Sequence, residues 1–159
     1  MQVEKVEIVL FACICLVLML LDVDAHTIGI FDGCQWWQRL TYQFFHVSVF
    51  HLAVNIYVMW LCVTRFSLSN TMIACCYIAS ALVPTYTAVP TIGASGIVYA
   101  LLGVINTMVA KKWRYAAWIA VYIAICWLFN TNAVLHLTCY VYGLILGNIA
   151  LIWRRLMTY

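Results

Sequence analysis

A serine flanked by glycines, in the run Gly93-Ala94-Ser95-Gly96, begins one of the long apolar stretches of this sequence. Because Gly93 and Gly96 carry no side chain, a substrate carbonyl could approach the hydroxyl and the backbone amide of Ser95 closely. Ser95 is therefore a candidate nucleophile, provided that a base lies within reach. The structural alternative is helix packing, since small residues let membrane helices touch. The run also differs from the G-x-S-x-G turn of soluble hydrolases, because its second glycine directly follows the serine.

The other groups that a serine nucleophile needs are found in two further apolar stretches. His136 could accept the proton of Ser95 and return it to a leaving amine. His51 and Asn55 are four residues apart and so share one face of a helix. Both side chains could donate hydrogen bonds to an oxyanion, together with the Ser95 amide.

Two more residues could support the reacting groups, and either could equally be an ordinary packing residue. His46, five residues before His51, could brace the oxyanion-binding group. Tyr99, one helical turn after Ser95, could pack against the ring of His136 and hold it. Histidines in membrane helices also serve as structural hydrogen-bonding groups, although an intramembrane ionisable residue is a functional candidate.

The composition places these residues in a membrane. Of the 159 residues, 67% are hydrophobic and 8% charged, and the mean hydropathy is +1.03. Such a chain holds about six spans of about 20 residues and no separate soluble domain. We predict an all-α fold in which residues 1–159 form a single membrane domain. The predicted spans cover residues 6–21, 44–63, 68–83, 95–110, 115–129 and 133–153.

The basic residues predict the orientation of the six spans. Seven of the eight fall on one side of the predicted membrane, namely Lys5, Arg65, Lys111, Lys112, Arg114, Arg154 and Arg155, and Arg39 falls on the other. By the positive-inside rule both termini face the cytoplasm. The first loop, residues 85–94 and the polar turn 130–132 then face outward. Trp36, Trp37 and Tyr42 in the first loop suit a membrane interface, and Asn130-Thr131-Asn132 is a predicted helix cap.

The candidate residues also share one predicted depth. At about 1.5 Å per helical residue, Ser95 lies roughly 24 Å and His136 roughly 27 Å from the cytoplasmic ends of their spans. His51 lies at roughly 21 Å and Asn55 at roughly 15 Å. A hydrolytic reaction in this outer layer needs a water-filled cavity, and irregular backbone is tolerated at such depth only beside one or inside protein.

Residues that are absent exclude several mechanisms. All five acidic residues precede residue 33, which removes an intramembrane aspartyl mechanism, and no H-E-x-x-H run indicates a zinc protease. A Ser-His dyad is therefore simpler than a triad. Seven of the eight cysteines lie in apolar runs and lack the spacing of a zinc site. We expect no metal, no cofactor and no disulfide framework, and the net charge of +3 gives no indication of nucleic-acid binding.

Taken together, these residues resemble the rhomboid intramembrane serine proteases. Gly93-Ala94-Ser95-Gly96 resembles the family's G-x-S-G motif, and residues 37–46 (WQRLTYQFFH) resemble its W-[RQ]-x-x-T-Y-x-F-x-H motif. His46, His51 and Asn55 resemble H-x-x-x-x-H-x-x-x-N, which the family associates with the oxyanion hole. His136 matches the catalytic histidine. Gly143 and Gly147 match the small residues through which the last helix packs on the serine helix.

The resemblance implies cleavage of single-pass transmembrane proteins within the lipid bilayer. It also implies a bacterial plasma membrane location with the site open to the extracytoplasmic side. Trp127 and Phe129 are candidate gate residues for lateral substrate entry, with ordinary lipid-facing aromatics as the alternative. The sequence departs from the family at Cys139, where a glycine is common, and at Gln38, where an arginine is usual.

Two other functions stay open at this stage. A rhomboid-like pseudoprotease would bind membrane proteins without cutting them, although such proteins normally lack the serine or the histidine. A small channel or transporter is disfavoured, because the spans lack carboxylates. The oligomeric state and the substrate are not indicated by the sequence.

Overall fold

The computed structural model describes residues 3–128 and 131–157, and within these ranges the chain is helical and forms no strand. The helices are α1 (Val3–Leu18), α2 (Ala25–Ile28), α3 (Gln38–Thr41), α4 (Val49–Phe66), α5 (Asn70–Ala81), α6 (Ser95–Met108), α7 (Lys112–Leu128) and α8 (Ala133–Met157). A 3-10 turn, Tyr42–Phe44, follows α3. The predicted all-α class is confirmed, and the six longest helices overlap the six predicted spans.

Two of these helices are both long and apolar enough to cross a membrane. They are α4, with 18 residues, and α8, with 25 residues. Helices α5 and α6 and residues Val6–Leu18 of α1 are apolar but shorter. Length and hydropathy therefore identify two candidate spans in the described chain, where the sequence predicts six.

Side-chain caps set where α4 and α8 begin. Helix α4 begins at Val49 and not at residue 44, since the Ser48 hydroxyl accepts the His51 N–H at 3.1 Å. His46 consequently precedes the helix. Helix α8 begins where Asn132 Oδ1 accepts the Leu135 N–H at 3.0 Å, whereas Asn130 of the predicted cap lies outside the described residues. Helix α8 runs on past residue 153 to Met157.

Helix α6 lies at the centre of the molecule, with twelve of its 14 residues buried. Three glycines let it pack closely on α8. A Cβ atom on Gly143 would collide with the carbonyl oxygen of Ala100, and one on Gly103 with that of Tyr140. A Cβ on Gly147 would come within 2.6 Å of a threonine hydroxyl of α6. This backbone contact fixes α6 and α8 relative to each other.

The first loop folds back onto the protein. Tyr42, which the sequence placed at the membrane interface, is fully buried, and its hydroxyl donates to the carbonyl of Ser80 at 3.1 Å. Trp36 and Trp37 remain exposed. Arg39 Nη1 donates to the carbonyl of Val83 at 2.8 Å, which ties the loop to the end of α5. The interface assignment was thus wrong for Tyr42, because its phenol satisfies a buried carbonyl.

The segment that leads into α6 is paired with the first loop. Ile30 and Thr91 exchange two backbone hydrogen bonds of 2.9 Å in an isolated antiparallel bridge. The Asp32 N–H donates to the Thr87 carbonyl at 2.8 Å. These bonds hold residues 85–94 at the end of the helical bundle where α6 begins.

Candidate active site

Ser95 is the first residue of α6, and its side chain is buried. The two preceding amides are already used: Gly93 N–H donates to the Tyr42 carbonyl at 2.9 Å, and Ala94 N–H donates to His46 Nε2 at 3.2 Å. Amides in the first turn of a helix have no intrahelical acceptor and lie at the positive end of the helix dipole. The Ser95 amide is therefore placed to bind developing negative charge.

His46 thus holds the segment before the serine. Since its Nε2 accepts a hydrogen bond, this nitrogen carries no proton, and His46 is a neutral imidazole in this structure. Its ring also contacts that of His51 edge to face, with centroids 5.2 Å apart. Through these two contacts His46 can brace both the segment before Ser95 and the ring of His51, which is the role that the sequence suggested.

Position 93 requires a glycine for two reasons. Its φ is +129°, a backbone conformation that residues with side chains rarely adopt. A Cβ atom on Gly93 would also lie only 2.6 Å from Cε1 of His51. Gly96, in contrast, faces the core and not the cavity above Ser95, since its Cβ would meet the Tyr42 hydroxyl at 2.7 Å and Cys139 Sγ at 3.4 Å. The sequence analysis expected Gly96 to leave Ser95 open to substrate. These contacts show instead that Gly96 makes room for core side chains.

His136 lies in the first turn of α8 with its ring beside Ser95. The distance from His136 Nε2 to Ser95 Oγ is 2.9 Å, which is a hydrogen bond, and both residues are buried. His136 Nδ1 is buried and forms no hydrogen bond with any described residue. In this part of the chain the pair is thus a serine and an imidazole, with no third polar group to orient the base.

Tyr99 supplies the orientation that a third polar group would give. Its ring stacks on the His136 imidazole with centroids 4.3 Å apart and an angle of 18° between the planes. The Tyr99 hydroxyl lies 3.3 Å from Cys126 Sγ on α7, and either atom could donate. Stacking restricts rotation of the imidazole, so Tyr99 helps to keep Nε2 directed at the serine.

The structure brings His51 to the site and places Asn55 one turn deeper. His51 lines the same cavity as Ser95 and His136. Asn55 is buried and does not line that cavity, and within residues 3–128 and 131–157 its Nδ2 has no hydrogen-bond partner. An unpaired buried donor is costly in a folded protein, and a ligand or reaction intermediate that supplies the acceptor is one explanation for its presence.

A cavity of about 590 Å³ lies over the Ser95–His136 pair. It is lined by Ala25, Val47, His51, Thr87, Val89, Pro90, Thr91, Ile92, Ser95, Trp127, Thr131, Asn132 and His136. Trp127, a candidate gate residue, is largely exposed at its edge, and Phe129, the other one, lies outside the described residues. No group of three or more His, Cys, Asp or Glu side chains that could hold a metal occurs within residues 3–128 and 131–157. The polar side chains that line the cavity are those of His51, Ser95 and His136, together with three threonines and Asn132.

Sequence reasoning missed two features that hold the site. Gly103 was not singled out, although its spacing of four from Thr107 and seven from Gly96 puts three small residues along α6. The carbonyl of Tyr42, which fixes Gly93, carries no signal in the sequence because it is a backbone group.

These features define a helical protein with a buried Ser-His pair beneath a cavity, and a comparison with known families identifies it. The Rhomboid domain family model matches residues 33–153, which is most of the chain. The protein therefore belongs to the rhomboid family, whose members are embedded in membranes and are typically serine proteases. Neither the curated proteins nor the solved structures gave a match.

Proposed function

We propose that this protein is an intramembrane serine endopeptidase that cleaves single-pass transmembrane proteins through a Ser95–His136 dyad. The observation that carries the proposal is the 2.9 Å hydrogen bond between His136 Nε2 and Ser95 Oγ at the floor of the cavity. Membership of the rhomboid family supports the same reaction.

The geometry accounts for each step of acyl transfer. Ser95 Oγ attacks the carbonyl carbon of the scissile peptide bond while His136 Nε2 accepts the hydroxyl proton. The C–N bond of the tetrahedral intermediate then breaks, and His136 donates that proton to the leaving amine. Water attacks the resulting acyl enzyme, gives a proton to His136 and releases the carboxylic acid, after which the proton returns to Ser95.

The oxyanion of this intermediate would be bound by two donors at the cavity, with a third, Asn55, one helical turn deeper. The Ser95 amide lies at the N-terminus of α6, His51 lines the cavity, and Asn55 Nδ2 is a buried donor without a partner among the described residues. Donors that are fixed before the reaction stabilise developing charge without reorganisation, and removing one such donor from a serine protease costs about 3–4 kcal/mol.

The membrane arrangement belongs to the same proposal. Helices α1, α4, α5, α6, α7 and α8 are six spans of one domain covering residues 1–159, with both termini in the cytoplasm. The positive-inside distribution of seven of the eight basic residues supports this orientation. The site then opens to the extracytoplasmic face of a bacterial plasma membrane.

The test is proteolysis of several single-pass substrates by the purified protein in liposomes. Wild type is compared with Ser95→Ala and His136→Ala, and thermal unfolding confirms that all three are folded. Loss of cleavage in both variants is the expected result. A wild type that binds these substrates and never cuts them indicates the pseudoprotease, and cleavage that survives Ser95→Ala removes the dyad.

A further inference from the structure

A hydrogen bond joins the two chain segments that lead into Ser95 and His136. Asn132 Nδ2 donates to Thr91 Oγ1 at 3.0 Å, and both residues line the cavity. Thr91 precedes Ser95 by four residues, and Asn132 precedes His136 by four residues. The bond therefore connects equivalent points just ahead of the nucleophile and the base.

Both ends of this bond are anchored to the backbone. Thr91 exchanges two backbone hydrogen bonds with Ile30, each of 2.9 Å. Asn132 Oδ1 caps α8 by accepting from the Leu135 N–H at 3.0 Å, and the Asn132 carbonyl accepts from the His136 N–H at 3.2 Å. Because neither end can shift freely, the bond links residues 85–94 rigidly to the first turn of α8.

The position of this bond complements the glycine contacts between α6 and α8. Those contacts involve Gly103, Gly143 and Gly147, all of which lie at least seven residues after Ser95 or His136 in their helices. They fix the helix axes but act about two to three turns below the reacting atoms. The Thr91–Asn132 bond acts on the opposite side of the dyad.

We propose that the Thr91–Asn132 hydrogen bond is a positioning device that sets the separation of Ser95 Oγ and His136 Nε2, an inference that rests on the proposed function. Neither side chain takes part in the chemistry. Their bond prevents the segment before α6 from moving away from the start of α8 when a substrate chain enters the cavity. Its loss lowers the rate of acylation, since small misplacements of reacting groups reduce rates strongly.

The test measures turnover for Thr91→Val, Thr91→Ser and a matched control in liposomes. Thr91→Val removes the hydroxyl at nearly constant volume, and Thr91→Ser keeps it. The control is Thr138→Val, because the Thr138 hydroxyl donates only within α8, to the carbonyl of Val134 at 2.8 Å. We expect Thr91→Val to lower kcat about tenfold with KM changed less than about twofold, Thr91→Ser to recover most of the rate, and the control to match wild type.

A second measurement does not depend on activity. The amides of Thr91, Gly93 and Ala94 donate hydrogen bonds to Ile30, Tyr42 and His46. We expect faster hydrogen exchange at these amides in Thr91→Val than in Thr91→Ser or Thr138→Val. If the wild type cleaves nothing, the proposed function fails, and the exchange rates alone decide whether the bond holds this segment. Equal exchange in the three variants overturns the inference, as does a raised KM with kcat unchanged, which would make Thr91 a substrate contact.

Discussion

The interface between α6 and α8 and the neighbouring helix α7 are built in opposite ways. Twelve of the 14 residues of α6 are buried, whereas in the 17 residues of α7 only Ile119 is buried. Glycines bring the backbones of α6 and α8 into contact, while α7 presents large aromatic side chains such as Trp113, Trp118 and Trp127 to its surroundings. The proposed dyad lies on these two helices, whose backbones are in contact.

This difference indicates that, in the proposed protease, α6 and α8 hold the reacting groups while α7 can move. A segment with few buried contacts is displaced at a lower free-energy cost than a core segment. Helix α7 borders the cavity through Trp127, and its Cys126 contacts Tyr99, which stacks on His136. Substrate entry beside α7 would therefore leave the Ser95–His136 geometry intact.

The largest effect is expected from filling the contact between α6 and α8. In Gly143→Ala the new methyl group collides with the Ala100 carbonyl, which is backbone and cannot turn away. We expect the free energy of unfolding in detergent to fall by about 2–3 kcal/mol. The control Ala120→Val adds methyl groups at an exposed position of α7 and should change it by less than about 0.5 kcal/mol. Equal losses of unfolding free energy in the two variants would contradict the difference between the α6–α8 contact and α7.

A second substitution probes the turn that leads into α6. Gly93→Ala imposes a positive φ on alanine and brings its methyl group to 2.6 Å from Cε1 of His51. We expect kcat/KM to fall at least about tenfold, which corresponds to about 1.4 kcal/mol of transition-state stabilisation.

Gly33→Ala is the matched control for this substitution. Gly33 also has a positive φ, of 85°, but apart from its two chain neighbours no described residue has an atom within 4 Å of the added Cβ. It should lose stability by about 1–2 kcal/mol while keeping the activity of its folded fraction. Similar activity losses in both variants would mean that backbone strain, and not the contact with His51, controls the rate.

The third prediction concerns the ring that stacks on the proposed base. Tyr99→Ala removes the stack and should lower kcat about fivefold, because the His136 imidazole can then rotate away from Ser95. Tyr99→Phe keeps the stack, loses the contact with Cys126 and should lose less activity. The measurement is kcat in liposomes. A larger loss in Tyr99→Phe than in Tyr99→Ala would show that the link to α7 matters more than the stack.

The smallest effect is expected on α7. Trp127→Ala changes the edge of the cavity but no buried contact, so KM should change by about threefold at most and kcat less. Trp113→Ala, at a fully peripheral position of the same helix, is the control. A loss of kcat as large as that of Tyr99→Ala would mean that α7 also shapes the dyad.

The sequence predicted the helices and the residues of the candidate site because both depend on local signals. Long apolar runs, Pro84 and paired basic residues mark the helices, and Ser95, His51 and His136 stand out as polar groups within such runs. Counting residues was enough to predict that the serine and the histidines share a layer. The start of α4 was misplaced because Ser48, its N-cap, was read as part of the span.

The features that sequence reasoning missed depend on contacts between distant segments. The burial of Tyr42 requires the carbonyl of Ser80, 38 residues away. The bridge of Ile30 with Thr91 and the bond of Asn132 with Thr91 likewise join loops that have no periodic pattern. Backbone acceptors and loop pairings of this kind leave no mark on residue type, so only the folded chain reveals them.

The most direct test of the central claim is the covalent labelling of Ser95 by a fluorophosphonate, read by intact mass and peptide mapping. The reagent reacts with an activated serine and does not require a transmembrane substrate. It therefore tests the dyad independently of which substrates the protein accepts. The account predicts one adduct per wild-type chain, on Ser95, and at most slow labelling in folded His136→Ala. A folded wild type that stays unlabelled, or labelling that is equally fast without His136, would contradict it.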